Sequence, residues 1–181
     1  LSVIEQMLAQ FPFEILGFHA DNGSEYVNHK VARLLDKLRI EFTRSRPRHS
    51  NDNGLAETKN GAVVRKEFGY AHIHRRHADR FDAYCREYLN PFLNFHRPCL
   101  FATELPDPKK PGRIKRVYRP RDAMTPLDKL ASLPEAASFL RPGVTLVELH
   151  QLARALTDVQ AAKELGEARQ ALFRRANTRT G

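Results

Sequence analysis

The chain has 181 residues, 41% hydrophobic and 28% charged, with 30 Lys and Arg against 21 Asp and Glu and a net charge of +9. This composition excludes a largely disordered chain and predicts one ordinary domain with a smaller appendage. No apolar run approaches the roughly 18 residues that a membrane span needs, and no secretory leader opens the chain, so we expect a cytoplasmic protein with no membrane partner.

The first 43 residues alternate between helix and strand patterns. Apolar side chains at helical intervals predict a helix over residues 4–11, and the apolar run 14–20 predicts a strand that ends just before Asp21. A helix over 28–38, capped by Asn28, and a strand over 40–43 follow. This order predicts two parallel strands joined by a crossover helix. Because α/β sheets bind ligands at the carboxyl ends of their strands, Asp21 is a candidate site residue.

A second candidate acid, Glu57, follows a polar stretch over 44–54 that predicts a loop. Helical character returns from Leu55 to Phe68, which predicts Glu57 in the first turn of a helix, where the helix dipole favours an anion. Asp21 and Glu57 are separated by 35 residues, and carboxylate oxygens are the ligands that Mg²⁺ prefers. Either acid taken singly also has a structural explanation, in an Asn-Gly turn or at a helix terminus.

A longer helix is predicted over residues 79–95, where bulky apolar side chains follow the helical period. Packing explains this stripe better than base stacking does. Pro91 is expected to kink or split the helix. Its one cysteine, Cys85, and the later Cys99 have no Cys or His partners at zinc-finger spacing, so both are predicted to be free thiols.

The excess of positive charge is concentrated in residues 61–121, which hold 14 basic and 6 acidic residues. Its densest part, residues 109–121, contains seven cations and no acid: Lys109, Lys110, Arg113, Lys115, Arg116, Arg119 and Arg121. Pro111, Gly112 and Pro120 exclude a regular helix here. The segment is either a solvated linker or a strand-like arm that lies along a phosphate backbone, and the acid pair favours the arm.

The C-terminal part is predicted to be helical. The runs 132–135 and 145–148 both have the form of a capping box, and Thr157 predicts the start of one more helix. Arg174, Arg175 and Arg179 lie near the end of that helix, where cations are favourable. The apolar faces of these helices require a partner, either the core or another subunit.

The local contexts of the two acids resemble one known family. Asp21 lies in His19-Ala20-Asp21-Asn22-Gly23-Ser24-Glu25-Tyr26, and Glu57 ends the run Asn51-Asp52-Asn53-Gly54-Leu55-Ala56-Glu57. With 35 residues between the acids, these motifs resemble the integrase catalytic core of the DDE transposases of insertion sequences. The resemblance extends through residues 88–95 and 109–130 and so covers nearly the whole chain.

The resemblance implies an α/β fold, the ribonuclease H-like integrase core. We expect only its C-terminal half here, since the first Asp of the family and its helix-turn-helix elements lie upstream of the helix at 4–11. The predicted segments are 1–100 as the partial catalytic core, 101–126 as the basic Pro-containing arm, and 127–181 as the helical extension. The implied location is nucleoid-associated within the cytoplasm.

The implied chemistry is DNA cleavage and strand transfer with two Mg²⁺ or Mn²⁺ ions about 3.5 to 4 Å apart. Asp21 would hold one ion together with the upstream Asp, and Glu57 the other. The implied partners are transposon ends, target DNA and further copies of the full-length enzyme. The predicted DNA-binding residues are Lys59, Lys66, Lys109, Lys110, Arg113, Lys115, Arg116 and Arg119. Weaker candidates are His49, Asn53 and Arg65. The cluster His72, His74, Arg75, Arg76 and His77 is either a DNA contact or a solvated turn between helices, and the turn explains it better.

Two alternatives remain open. A shortened transposase that has lost catalysis would keep the basic arm and the helical tail, and would bind DNA or a full-length partner. A ribonuclease H-like nuclease is the weaker alternative, because the Asp-Asn-Gly context and the long basic extension oppose it.

Overall fold

The computed structural model describes residues 2–20, 29–46, 60–110 and 112–177. The chain divides into two compact units, Leu1–Ile73 and His74–Gly181. Each unit is described by itself below.

The first unit contains the predicted alternation of helices and strands. Helix α1 spans Ser2–Ala9, strand β1 spans Gly17–Ala20, helix α2 spans His29–Lys37 and strand β2 spans Glu41–Arg44. β1 and β2 are parallel, with Phe18 opposite Phe42 and Ala20 opposite Arg44. The predicted parallel pair is therefore confirmed, and the predicted cap Asn28 lies outside the described residues.

Helix α2 anchors the core of the first unit because its apolar face is turned inwards. Leu35 is fully buried and packs in a cluster with Leu8, Val31 and Ile40. The backbone of Arg39 is left-handed, with φ +56°, and the amide of Ile40 donates to the carbonyl of Leu35 over 2.9 Å. This is the geometry of a helix end closed by a left-handed residue. It turns the chain from α2 directly into β2.

A short helix, α3, closes the described part of the first unit. It has a π-helical turn over Asn60–Val64 and an α-helical turn over Arg65–Phe68. Gly69 follows with φ +73°, a left-handed conformation that suits glycine. The helix predicted to continue to Phe68 is thus confirmed for its described portion.

The second unit opens with a continuous helix, α4, that starts at Ala78–Tyr84 and continues through π-helical turns at Cys85–Leu89 and Phe92–His96. Of the two predicted effects of Pro91, the split is wrong, because Pro91 keeps helical dihedrals of −58° and −46°. The kink stays a prediction. The amide of Asn90 donates to the carbonyl of Cys85, five residues back. This wider register accommodates a proline that has no amide hydrogen to donate. No disulfide joins Cys85 and Cys99.

The basic segment forms part of a nested antiparallel ribbon. The outer pair joins β3, Cys99–Leu100, to β6, Ala123–Met124. The inner pair joins β4, Thr103–Pro106, to β5, Ile114–Val117. A short 3₁₀ turn at Pro120–Asp122 links β5 to β6. The prediction that this segment is not a regular helix is confirmed, and strands form on both sides of its turn.

Three helices follow the ribbon: α5 at Pro126–Ala131, α6 at Leu146–Arg154 and α7 at Asp158–Asn177. Thr145 and Glu148 form the predicted capping box at the start of α6. Thr157 caps α7 through Gln160 in the same reciprocal manner. The capping box predicted at Ser132 is wrong, because Ser132 ends α5 and its hydroxyl donates to the carbonyl of Lys129.

Helix α7 packs on α4 within the same unit. The rings of Phe81 and Phe173 meet edge to face, with 5.8 Å between their centroids. His96, buried at the end of α4, lies 3.0 Å from the carboxylate of Asp158 in the first turn of α7. The last helix therefore buries its apolar side inside its own unit. The predicted boundaries at 100 and 126 fall within this unit, and the three functional segments stay a prediction.

We expect Leu35→Ala to destabilise the first unit by about 2 to 5 kcal/mol, because it opens a cavity in the core under α2. Leu38→Ala, one residue past the end of α2, should change stability by about 0.5 kcal/mol or less, since Leu38 is 48% exposed. Native-state hydrogen exchange of the α2 and β2 amides measures both. Equal effects of the two substitutions would contradict this account of the core.

Candidate functional site

The carboxyl end of β1 is the predicted catalytic edge. The strand ends at Ala20, so Asp21 is the next residue in sequence. Asp21, Glu57 and Lys59 lie outside the described residues, as do the weaker candidates His49 and Asn53. The structure describes the strand before one acid and the helical turns three residues after the other.

A polar network of His19, Thr43 and Ser45 lies at the carboxyl ends of β1 and β2. The sequence patterns do not predict it. The ring of His19 contacts the hydroxyl of Thr43 through Nδ1 at 2.8 Å and the hydroxyl of Ser45 through Nε2 at 3.2 Å. The amide of the buried Ser45 donates to the carbonyl of Ala20 over 3.1 Å. The network ties the last residues of β1 to β2. In the sequence, His19 and Thr43 lie on the two strands that are predicted to pair. The observed register sets them opposite each other.

Two predicted cationic candidates lie on α3. Lys66 and Arg65 are both exposed. The guanidinium of Arg65 lies over the ring of Tyr70, 5.3 Å from its centroid. Lys66 is thus available to solvent, whereas Arg65 has an aromatic neighbour on its own unit.

The His- and Arg-rich cluster places one histidine inside the second unit. Arg76 Nε donates to His77 Nε2 over 3.1 Å, so the proton of neutral His77 is on Nδ1, which is buried and has no hydrogen-bond partner among the described residues. Burial lowers the pKa of His77 below its usual 6.5, and the charges of Arg76, Arg80 and His74 lower it further. A buried neutral ring of this kind is a packing residue. The DNA contact predicted for the cluster stays a prediction.

The inner strand pair and its turn, residues 103–117, form the basic hairpin. Asp107 organises its turn: the amide of Lys109 donates to the Asp107 carboxylate over 2.9 Å, and the amide of Asp107 donates to the carbonyl of Arg113 over 2.8 Å. Gly112 has φ +80°, a conformation that favours glycine. The turn is therefore held by hydrogen bonds and not only by its proline content.

Two of the predicted DNA-binding arginines make ion pairs. Arg116 Nε lies 3.1 Å from Glu104 on the neighbouring strand, with both side chains exposed. Arg119 Nε lies 2.7 Å from Asp122, with both side chains partly buried. Both arginines are predicted DNA contacts because composition alone does not reveal their carboxylate partners.

The other cations of the hairpin differ from Arg116 in having no carboxylate partner among the described residues. Four of them are exposed, and no side-chain ion pair or hydrogen bond to another described residue is found for them: Lys109, Lys110, Arg113 and Lys115. We call them the unpaired quartet. They concentrate positive charge at the turn, which also holds the Asp107 carboxylate, and in the first half of β5.

Asp122 braces the base of the hairpin. Its carboxylate accepts hydrogen bonds from Arg119 Nε at 2.7 Å and from the Thr103 hydroxyl at 3.1 Å, which links the start of β4 to the segment after β5. The hydrogen bond from Arg119 lowers the pKa of Asp122 below its usual 3.8; partial burial opposes this, and Thr103 and the charges of Arg119 and Arg121 add to the lowering.

The described residues contain no group of three or more His, Cys, Asp or Glu side chains that could hold a metal ion. Any cluster that includes Asp21 or Glu57 falls outside this statement. None of the helices in the described ranges has the length and apolar character to cross a membrane.

The chain is 36% identical over 73 residues to the uncharacterised protein y4rM of Sinorhizobium fredii. The match covers 40% of this chain and 21% of that protein, so the chain spans about a fifth of the length of this relative. No family model matches the chain, and no solved structure matches it.

Asp122→Asn should loosen the hairpin base, because the amide cannot pair with the Arg119 charge. Hydrogen exchange of the β4 and β5 amides should accelerate at neutral pH. Asp82→Asn makes the same charge change at an exposed position of α4 and should leave this exchange rate unchanged. Since the pKa of Asp122 is lowered, its stabilisation is present above the usual Asp pKa and lost as pH falls through the folded value. The difference between wild type and variant should therefore vanish in acid.

His77 should make the second unit less stable as pH falls. With a lowered folded pKa, the unfolded chain binds the proton more readily, so stability is full above the usual pKa of 6.5 and declines below it. Urea unfolding followed between neutral and mildly acidic pH should show a smaller loss of stability in His77→Gln than in wild type. Parallel pH profiles would contradict the assignment.

Proposed function

We propose that this chain is part of a DDE-type transposase that cleaves DNA and transfers strands in the movement of an insertion sequence. The observation that carries the proposal is the β1–α2–β2 unit, whose first strand ends at Ala20 immediately before Asp21. A parallel pair with a crossover helix directs ligands to the carboxyl edge, and the 35-residue spacing to Glu57 suits a ribonuclease H-like active site.

In this proposal Asp21 and Glu57 supply anionic oxygens at one edge of the sheet. Their donor chemistry fits Mg²⁺ or Mn²⁺. When bound, such ions activate a water or a DNA 3′-hydroxyl and stabilise the leaving oxygen. The His19 network keeps the end of β1 fixed against β2. Lys59 and Lys66 would contact phosphates near the acids, and the basic hairpin would bind DNA further along the chain.

The second candidate function is DNA binding or oligomerisation without catalysis. It is favoured by the second unit, whose basic hairpin and helices form a compact body of their own. The two candidates differ in whether Asp21 and Glu57 are needed, and the second has either DNA or another copy of the protein as its partner.

Strand transfer by the full-length protein should fall by at least about 100-fold in Asp21→Asn and in Glu57→Gln, because even outer partners of metal ligands cost about 10- to 100-fold. The assay joins a fluorescent duplex with a free 3′-hydroxyl to a supercoiled plasmid in Mg²⁺. Asp36→Asn and Glu41→Gln make the same charge changes at exposed positions of α2 and β2. These controls should retain activity.

Joining by either site variant at the wild-type rate would remove that acid from the catalytic role. A wild-type protein that binds the duplex but never joins it, with Mg²⁺ or with Mn²⁺, would favour the binding function.

A further inference from the structure

The basic hairpin and the short segment after β5 contain two kinds of cation. Arg116 and Arg119 have carboxylate partners at 3.1 and 2.7 Å. For the unpaired quartet, the described residues offer no such partner. A cation that already pairs with an acid gains less from a phosphate than one that does not, because contact with the phosphate competes with the existing pair.

The strand register separates the two kinds by face. Arg116 lies opposite Glu104, whereas Lys115 lies opposite Leu105. Successive side chains of a strand point to opposite faces, so Lys115 and Arg116 are on different sides of the hairpin. Arg113 comes just before β5, at the end of the turn. One face is therefore cationic with an apolar neighbour, and the other carries a neutralised pair.

The backbone that carries the remaining two cations, Lys109 and Lys110, is held by hydrogen bonds of the turn in the unbound protein. The amide of Lys110 donates to the carbonyl of Asp107 over 3.2 Å, and the amide of Arg113 donates to the carbonyl of Lys110 over 3.0 Å. Together with the Asp107 contacts to Lys109 and Arg113, these bonds fix the backbone on which the quartet is mounted. A preorganised backbone lowers the entropy cost of binding.

We infer that the unpaired quartet is a contact surface for the phosphate backbone of double-stranded DNA, and that Arg116 and Arg119 hold the hairpin together instead of touching DNA. This inference rests on the DNA partner of the proposed function and assigns that partner to one face of the hairpin.

The side chains of the hairpin favour a DNA duplex over other polyanions. Residues 107–115 contain no aromatic side chain, whereas binding of single strands relies on stacking bases against aromatic rings. A two-stranded ribbon fits the major groove of B-DNA, about 12 Å wide, but not the deep and narrow major groove of RNA. Membrane-surface binding needs a continuous apolar face beside the cations. The exposed apolar side chains of the hairpin, Leu105 and Ile114, lie on opposite faces of it and form no such face.

The test is the salt dependence of binding to a fluorescent duplex of mixed sequence by the full chain. Four phosphate contacts predict that affinity falls about 100-fold between 50 and 200 mM KCl. Each single Gln substitution in the quartet should lower the slope of log affinity against log salt by about 0.9, and the quadruple variant by about 3 to 4. Circular dichroism verifies that each variant is folded.

Two controls separate contact from overall charge. The double variant Glu104→Gln with Arg116→Gln keeps the net charge, and should leave the slope unchanged if this pair does not touch DNA. Lys163→Gln removes one charge on the exposed side of α7, where Lys163 lies 3.9 Å from Glu167, and should also leave the slope unchanged.

A folded quadruple variant with the wild-type slope would overturn the inference, while duplex binding itself would leave the proposed function standing. Tighter, quartet-dependent binding to single-stranded DNA or to phosphatidylserine vesicles would overturn the choice of partner. A wild-type chain that binds no duplex at low salt would overturn both this inference and the DNA contacts assigned to the hairpin in the proposed function.

Discussion

The second unit depends on the packing of its last helix on its first. The edge-to-face contact of Phe81 and Phe173 and the contact of the buried His96 ring with the exposed carboxylate of Asp158 join residues far apart in sequence. An aromatic pair in this geometry contributes about 0.5 to 1.5 kcal/mol beyond the burial of its area. Because α4 and α7 pack on each other, the segment of chain that connects them must leave the end of α4 and come back to the start of α7. The nested ribbon does so: β3 pairs with β6 and carries the basic hairpin as its inner pair.

Local patterns predicted most elements correctly because those elements follow local rules. The parallel pair β1–β2 came from the order of helix and strand patterns, and the Thr145–Glu148 capping box came from its sequence form. The same rules gave a wrong result at Ser132, where the helix before it accepts the hydroxyl. They also allowed a split at Pro91, where a π-helical register instead accommodates the proline within a continuous helix. In both places a nonlocal or alternative hydrogen-bonding pattern overrides the local signal.

The sequence predicted which residue types form the candidate site, but it did not predict which of these residues contact one another. Composition identified the cations of the hairpin, but the division between paired and unpaired ones depends on which residue lies across the strand, as Arg116 and Lys115 illustrate. Asp122 was not singled out, although it braces the hairpin base, because its partners Thr103 and Arg119 become neighbours only when the ribbon closes. The motifs around Asp21 and Glu57 remain the basis of the catalytic proposal.

The hydrogen-bonded turn at Asp107 has a kinetic consequence. A surface whose backbone is set before encounter needs no slow rearrangement after collision, so the association rate is governed by diffusion and by the electric field of the cations. Counterions weaken that field at distances beyond about 10 Å in 0.1 M salt. For a hairpin that binds DNA in the proposed way, ionic strength would regulate the rate of association with DNA as well as the lifetime of the complex.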